Sequence, residues 1–213
     1  MKTRNALLKH FNEQKYFDND LLAIYDDQLY PLNNSLATKR KEFSTLFKIH
    51  FDNHYHFLCS ETEEKVNLTY KTNIKETIQE DFLTNREKDR ILQRTSIGVH
   101  RDDFVFRLNE SSIKQIGSQG QQKSFVLALQ LAKFSILKEQ KGMKPILLLD
   151  DIFDKLDEDR INRLIELMTK DQFGQVFITD ASKSRVQTFI QNINKKVRMI
   201  TIKRGTIKKS EDV

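Results

Sequence analysis

Up to about residue 93, apolar side chains recur at helical spacing. Leu22, Tyr25, Leu29, Leu32, Leu36, Phe43 and Leu46 share one 3–4 stripe, interrupted at Lys39, and the spacing predicts a helical arm. Pro31 lies inside the stripe. It has no N–H to donate and its ring strikes the preceding turn, so a kink or a restart is expected there. The stripe is read as ordinary helix packing in preference to a dimerising coiled coil. KVNLTY (65–70) alternates as a strand does, and IKETIQEDFLTNREKDRILQR (74–94) predicts a returning helix with balanced surface charge.

From residue 95 strands and helices alternate. DFVFRL (103–108), followed by NESS, predicts one strand of a hairpin. A long helix is expected from Ser118 to about Glu139, then a buried strand PILLLDD (145–151) and a helix carrying Ile161, Leu164, Ile165 and Met168. The strand QVFIT (175–179), a helix through Val186, Phe189 and Ile190, and the strand VRMITI (197–202) complete the pattern. Strands separated by helices of this length imply parallel βαβ packing, with functional groups at the carboxyl ends of the strands. The expected organisation is therefore a helical arm over 1–93 and an α/β region over 94–213. No internal repeat or low-complexity segment interrupts it.

Composition narrows the class. With 213 residues, 38 % of them apolar, the chain can build a real core. Its single cysteine, Cys59, excludes an internal disulfide. No apolar run approaches the roughly 18 residues of a membrane span, and Met1-Lys2-Thr3-Arg4-Asn5 is no signal-peptide start, so a cytoplasmic protein is expected. A net charge of +6 and a pI near 9.2 favour a polyanionic partner such as DNA. Basic residues crowd the end as Lys195, Lys196, Arg198, Lys203, Arg204, Lys208 and Lys209. They fit either a phosphate-contacting stripe or a solvated edge strand with a frayed tail.

The chemistry concentrates at two places. ILLLDD reads as a strand buried on both faces whose mouth carries Asp150 and Asp151. Two carboxylates there cannot both be buried unpaired without several kcal/mol of desolvation cost, so something cationic is expected nearby. In a nucleotide site it is Mg²⁺, held through the first acid while the second orients or deprotonates the attacking water. A helix cap or a surface ion pair would explain the same string. GSQGQQKSF (117–125) is the other place: Ser118 is a natural N-cap and Gln121 completes a capping box. Gly117 and Gly120 add a backbone bare enough for a phosphate to approach the positive helix end.

SQGQQKS resembles the signature motif of ABC-type ATPases, ILLLDD their Walker B strand, and KLDEDR (155–160) the loop that follows. With GVHRDDF (98–104) and RNALLK (4–9), the resemblance is closest to the RecF family of bacterial recombination repair, over nearly the whole chain and most strongly from Gly98 to Asp159. It implies the carboxyl-terminal part of an ABC-type ATPase head, a mostly parallel sheet with flanking helices, plus an inserted, mainly helical arm lobe. By similarity, Ser118, Gln119, Gly120 and Gln121 would meet the γ-phosphate of ATP held by a second subunit, making dimerisation ATP-dependent. Asp150 would position Mg²⁺, and Asp151 would stand where most relatives carry a catalytic glutamate. One methylene less of reach suggests slow hydrolysis. Asp157 would lie at the dimer interface, although the helix dipole also explains an acid there. Thr179 or Asp180 would occupy the region of a γ-phosphate-sensing histidine. The whole protein would bind DNA at single-strand/double-strand junctions, with Lys195, Lys196, Arg198, Lys203 and Arg204 as DNA contacts, and would assist RecA loading with RecR and RecO.

The departures are specific. Val99 replaces a usual proline and Lys123 a common arginine. No G-x-x-x-x-G-K-[ST] loop exists, so the phosphate-cradling Walker A region is missing and the chain is expected to be the carboxyl-terminal part of a longer protein, unable to hydrolyse ATP alone. Alternatives are a non-enzymatic DNA- or partner-binding module, or a fragment of another SMC-like ATPase. In HRDD (100–103), Arg101 fits a phosphate or interface contact, or a place in an ion-pair network bracing the sheet. His54 and His56, two apart on an expected helix, diverge and make weak metal ligands.

Overall fold

The computed structural model describes the chain apart from Glu61, Thr62, Glu76, Asp154, Lys155, Asp171, Asn192 and Asn194. Among the described residues, helices alternate with three small sheets. Packing divides them into two compact units, one of Met1–Leu46 with Asn67–Phe106 and one of Phe47–Val66 with Arg107–Val213. The units interleave along the chain, unlike the linear division at residue 93 that the sequence suggests. The reason is α2, Asn19–Leu58, which runs for 40 residues and contributes its first part to one unit and its last part to the other.

The first unit contains α1 (Lys2–Glu13), the start of α2, most of β1 (Val66–Lys71), α3 (Ile78–Thr84), α4 (Arg86–Leu92), a 3-10 turn over Val99–Arg101 and most of β2 (Asp103–Leu108). α2 continues through Pro31, so the helix does not restart there. Pro31 and Asp27, whose carbonyl loses its partner, both lie on the exposed side, where water replaces the missing donor. The buried side of α2 follows the stripe at Leu22 and Leu29 but leaves it further along. Leu32, Leu36, Phe43 and Leu46 are exposed, whereas Asp26, Asn33, Ala37 and Ser44 are buried beside Leu22 and Tyr30. The returning helix is two short ones, α3 and α4, meeting at Asn85, which both caps the first and starts the second.

Burying polar groups on α2 is possible because each has a partner. Arg4 of the RNALLK motif is fully buried, and its Nε donates to Asp26 Oδ1 at 2.6 Å. Its Nη1 donates to Asp89 Oδ2 at 2.7 Å and to Thr95 Oγ1 at 2.9 Å. Arg86 closes the charge count by donating from Nε and Nη2 to Asp26 Oδ2 at 3.2 and 3.1 Å. Ser96 supplies two donors to Asp89 Oδ1. Two guanidinium groups thus face two carboxylates, an arrangement that offsets desolvation only while all members remain. Phe82 lies under Arg4 with its ring centroid 5.3 Å from the guanidinium carbon, and packs edge-on against Tyr30. In HRDD the bracing centres on buried Asp102, which accepts from Tyr70 Oη and from Arg40 Nη1, while Arg101 is exposed and outside it.

The second unit holds the end of α2, β3 (Ser111–Ser112), α5 (Ile113–Ile116), α6 (Gln119–Lys141), β4 (Leu147–Asp150), α7 (Glu158–Thr169), β5 (Val176–Thr179), α8 (Lys183–Gln191), β6 (Arg198–Lys203) and β7 (Thr206–Asp212). β4 and β5 are parallel, with Leu147 opposite Val176 and Asp150 opposite Thr179. Parallel pairing across an intervening helix is the expected α/β arrangement. β4 is not buried on both faces, however: Leu147 and Leu149 are inside, while Leu148 is 67 % exposed. Period-two geometry puts Leu148 on the other face, which no described element covers. The carboxyl end is not frayed but forms the second strand of an antiparallel hairpin, β6–β7, turning at Arg204-Gly205 with both residues at positive φ, the geometry that a two-residue hairpin turn requires.

The end of α2 packs on α6 through Phe51, Tyr55 and Phe125, with the Phe51 and Phe125 ring centroids 4.6 Å apart. Beside them the Nε2 of His54 lies 2.8 Å from Ser135 Oγ. Burial, with a smaller contribution from His50, pushes the His54 imidazole down to about 4. The unfolded chain therefore takes up a proton near pH 6.5 that the folded protein refuses until about pH 4. Stability falls as pH drops through that window, by about 2–3 kcal/mol for this group. Urea titrations from pH 7 to 4.5 on wild type and His54→Gln check this: the wild type loses stability faster, and parallel curves would remove His54 as the cause.

Candidate functional site

The first turn of α6 is built as a capping box. Ser118 Oγ accepts from the Gln121 backbone N–H at 3.2 Å, and Gln121 Oε1 accepts from the Ser118 N–H at 2.7 Å. Ser118 and Gln119 are exposed, and the N–H groups of Gln119 and Gly120 take no hydrogen bond among the described residues. Gly117 has a different reason from the one its sequence suggests. A Cβ there would sit 2.6 Å from the Ile113 carbonyl oxygen, so its bareness serves the tight α5–α6 junction.

Asp150 and Asp151 end β4, and both are exposed, so desolvation does not by itself demand a cation. Asp150 Oδ1 accepts from Thr179 Oγ1, its register partner on β5. Asp151 adopts φ 47°, a left-handed conformation that aspartate tolerates better than most residues but that costs about 1–3 kcal/mol. Its N–H donates to the Thr179 carbonyl at 3.1 Å, and its carbonyl accepts from Lys123 Nζ at 2.6 Å. Lys123 thus ties the signature-like helix to the acid pair. Next along the chain, the fully buried Asp180 carboxylate accepts from Ser182 N–H at 2.6 Å and from Arg185, with Oδ2 buried and unpartnered.

Asp157 is the N-cap of α7. Its Oδ1 accepts from Arg160 N–H at 2.9 Å and its Oδ2 pairs with Arg160 Nη1 at 3.3 Å. The KLDEDR segment is described from Leu156 onward; its Lys155 lies outside the described residues. Glu64, which sequence reasoning passed over, links the two helix starts. Its Oε1 accepts from Gln121 Nε2 at 2.8 Å and lies 3.8 Å from Arg160 Nη2, and its Oε2 accepts from Tyr55 Oη at 2.5 Å. Burial and this hydrogen bond push the Tyr55 hydroxyl well above its ordinary range. No local signal marks Glu64, because its partners lie 9, 57 and 96 positions away.

The unit thus assembles Ser118, Gln119, Gly120, Gln121, Asp150, Asp151, Asp157 and Thr179 around helix starts and strand ends. The basic stripe is less free than expected: Arg198 pairs with Asp212 at 2.7 Å, Lys209 with Glu211, and Lys195 Nζ donates to the Lys170 carbonyl. Lys196 is exposed ahead of the hairpin, and Lys203 and Arg204 are exposed at its turn. No described group of three or more His, Cys, Asp or Glu is arranged to hold a metal by itself, and no described helix is long and apolar enough to cross a membrane.

No protein-family model matches the chain. Among curated proteins it is 44 % identical over 203 residues to the DNA replication and repair protein RecF of Flavobacterium johnsoniae, covering 93 % of this chain and 55 % of that protein. It is 44 % identical over 211 residues to the same protein of Cytophaga hutchinsonii, covering 99 % and 56 %. A solved structure of the recombination mediator protein RecF-ATPrS superposes with a TM-score of 0.75 and 28 % identity over 97 % of this chain and 54 % of that one. The chain therefore spans about half the length of the curated relatives it matches.

Proposed function

Because the chain belongs to the RecF family and corresponds to the carboxyl-terminal half of its members, we propose that it supplies the signature-motif half of an ATP-dependent DNA-repair ATPase. The observation that carries this reading is the joining of the Ser118-capped helix to the Asp150–Asp151 strand end through Lys123. An exposed helix start with free N–H groups suits a phosphate, and carboxylate and hydroxyl oxygens at a strand mouth suit Mg²⁺. Uncovered apolar residues, Leu148, Phe177 and Ile146 among them, favour a further polypeptide layer on this unit.

In this reading Ser118, Gln119, Gly120 and Gln121 receive the γ-phosphate of ATP bound to a second protomer. Asp150 would hold Mg²⁺, which would supply neutralisation of phosphate charge; Thr179 would stand in the γ-phosphate-sensing region, and Asp151 would orient or deprotonate the attacking water. Asp157 faces the partner protomer. Lys195, Lys196, Arg198, Lys203 and Arg204 approach DNA phosphates at junctions, and RecR and RecO are the protein partners in loading RecA. The test joins this chain to the amino-terminal half its relatives carry and measures mass with and without ATP by light scattering. ATP is expected to double the mass, and Ser118→Arg to keep the protein monomeric by placing a long cation in the phosphate's approach. An ATP-induced dimer in the variant equal to wild type would reject the reading.

A further inference from the structure

In the second unit one carboxylate reaches both helix starts assigned above to face the partner protomer. Glu64 is 13 % exposed in its side chain and comes from the segment between α2 and β1, away from both motifs in sequence. A carboxylate accepts hydrogen bonds and cannot donate. The Gln121 amide must therefore present its NH₂ to Glu64, and its oxygen is left to accept from the Ser118 N–H. On the other side, Arg160 spans two acids, with Nη2 near Glu64 Oε1 and Nη1 near Asp157 Oδ2. Tyr55 Oη, donating to the second oxygen, fixes the rotation of the carboxylate.

We infer that Glu64 is a positioning residue that couples the Ser118 helix start to the Asp157 helix start, so that both present to the partner protomer together. This deepens the function proposed above and rests on it. Glu64 touches no reacting atom in that scheme. Its two oxygens can only accept, which sets the direction of the Gln121 amide, and its charge faces the Arg160 fork; a neutral amide of the same shape can turn a donor toward Gln121 and brings no charge to Arg160. A packing role would survive Glu64→Gln, because volume and reach are unchanged; a directing role would not, because a primary amide both donates and accepts.

The experiment uses the chain joined to its amino-terminal half and compares wild type, Glu64→Gln, Glu64→Ala and Ser118→Arg. Three quantities are read: the melting midpoint, ATP affinity of the monomer, and the dimer dissociation constant in ATP. Glu64→Gln is expected to stay folded with a modestly lower melting midpoint and to bind ATP as wild type does, while its dimer weakens by about tenfold at a temperature where both are folded. Glu64→Ala weakens it at least as much; should it not fold, the isosteric variant carries the test. Wild-type dimerisation by Glu64→Gln, with Ser118→Arg monomeric, overturns the coupling role and leaves the proposed function standing. Wild-type dimerisation by Ser118→Arg overturns both.

Discussion

Replacing Asp151 by Asn in the protein completed with its amino-terminal half is expected to lower steady-state ATP hydrolysis by about 10²–10⁴-fold, the contribution of general acid–base catalysis, under the role proposed above. ATP binding and ATP-induced dimerisation persist, because the amide keeps the shape of the acid and the backbone contacts that hold residue 151 involve no side-chain atom of it. Those contacts are the N–H to Thr179 and the carbonyl to Lys123. Phosphate release, nucleotide affinity and mass measured on one preparation separate chemistry from assembly. Retained hydrolysis in Asp151→Asn would move the proton-accepting role elsewhere, and a lost dimer would make Asp151 part of the interface.

The second large effect lies in the arm. Arg4→Met removes the guanidinium that serves Asp26, Asp89 and Thr95 while roughly keeping side-chain length. Asp26 retains Arg86, but Asp89 keeps only the Ser96 donors and is left buried with no cation beside it. Removing one partner of such a buried pair costs about 3–5 kcal/mol. Urea denaturation followed by a first-unit probe is expected to show that loss. A change below about 1 kcal/mol would mean that the site hydrates or collapses at little cost.

The two substitutions test different kinds of motif. SQGQQKS and ILLLDD carry exposed groups open to other molecules, whereas Arg4 and Asn5 of RNALLK anchor the fold. Arg4 and Asn5 bind groups 22 to 91 positions away, including Thr95 N–H to Asn5 Oδ1 at 2.9 Å. A short basic motif at a helix start invites a surface reading, and the full burial of Arg4 excludes one for that residue.

The sequence alone determined the type and place of most elements, because helix and strand periodicity are local: β1, β2, β4, β5 and β6 fall within a residue or two of the alternating and apolar runs that predict them. It also determined the capping box at Ser118 and the acid pair at the end of β4, both read within a few consecutive residues. The tertiary structure alone decided which face of α2 is buried. Apolar spacing points to Leu32, Leu36 and Phe43, but partners as distant as Arg4 and Val99 allow Asp26 and Asn33 to be buried instead. It likewise decided that Leu148 stays uncovered and that Glu64 joins two motifs. Each depends on atoms brought together from distant parts of the chain, and no window of neighbouring residues contains that information.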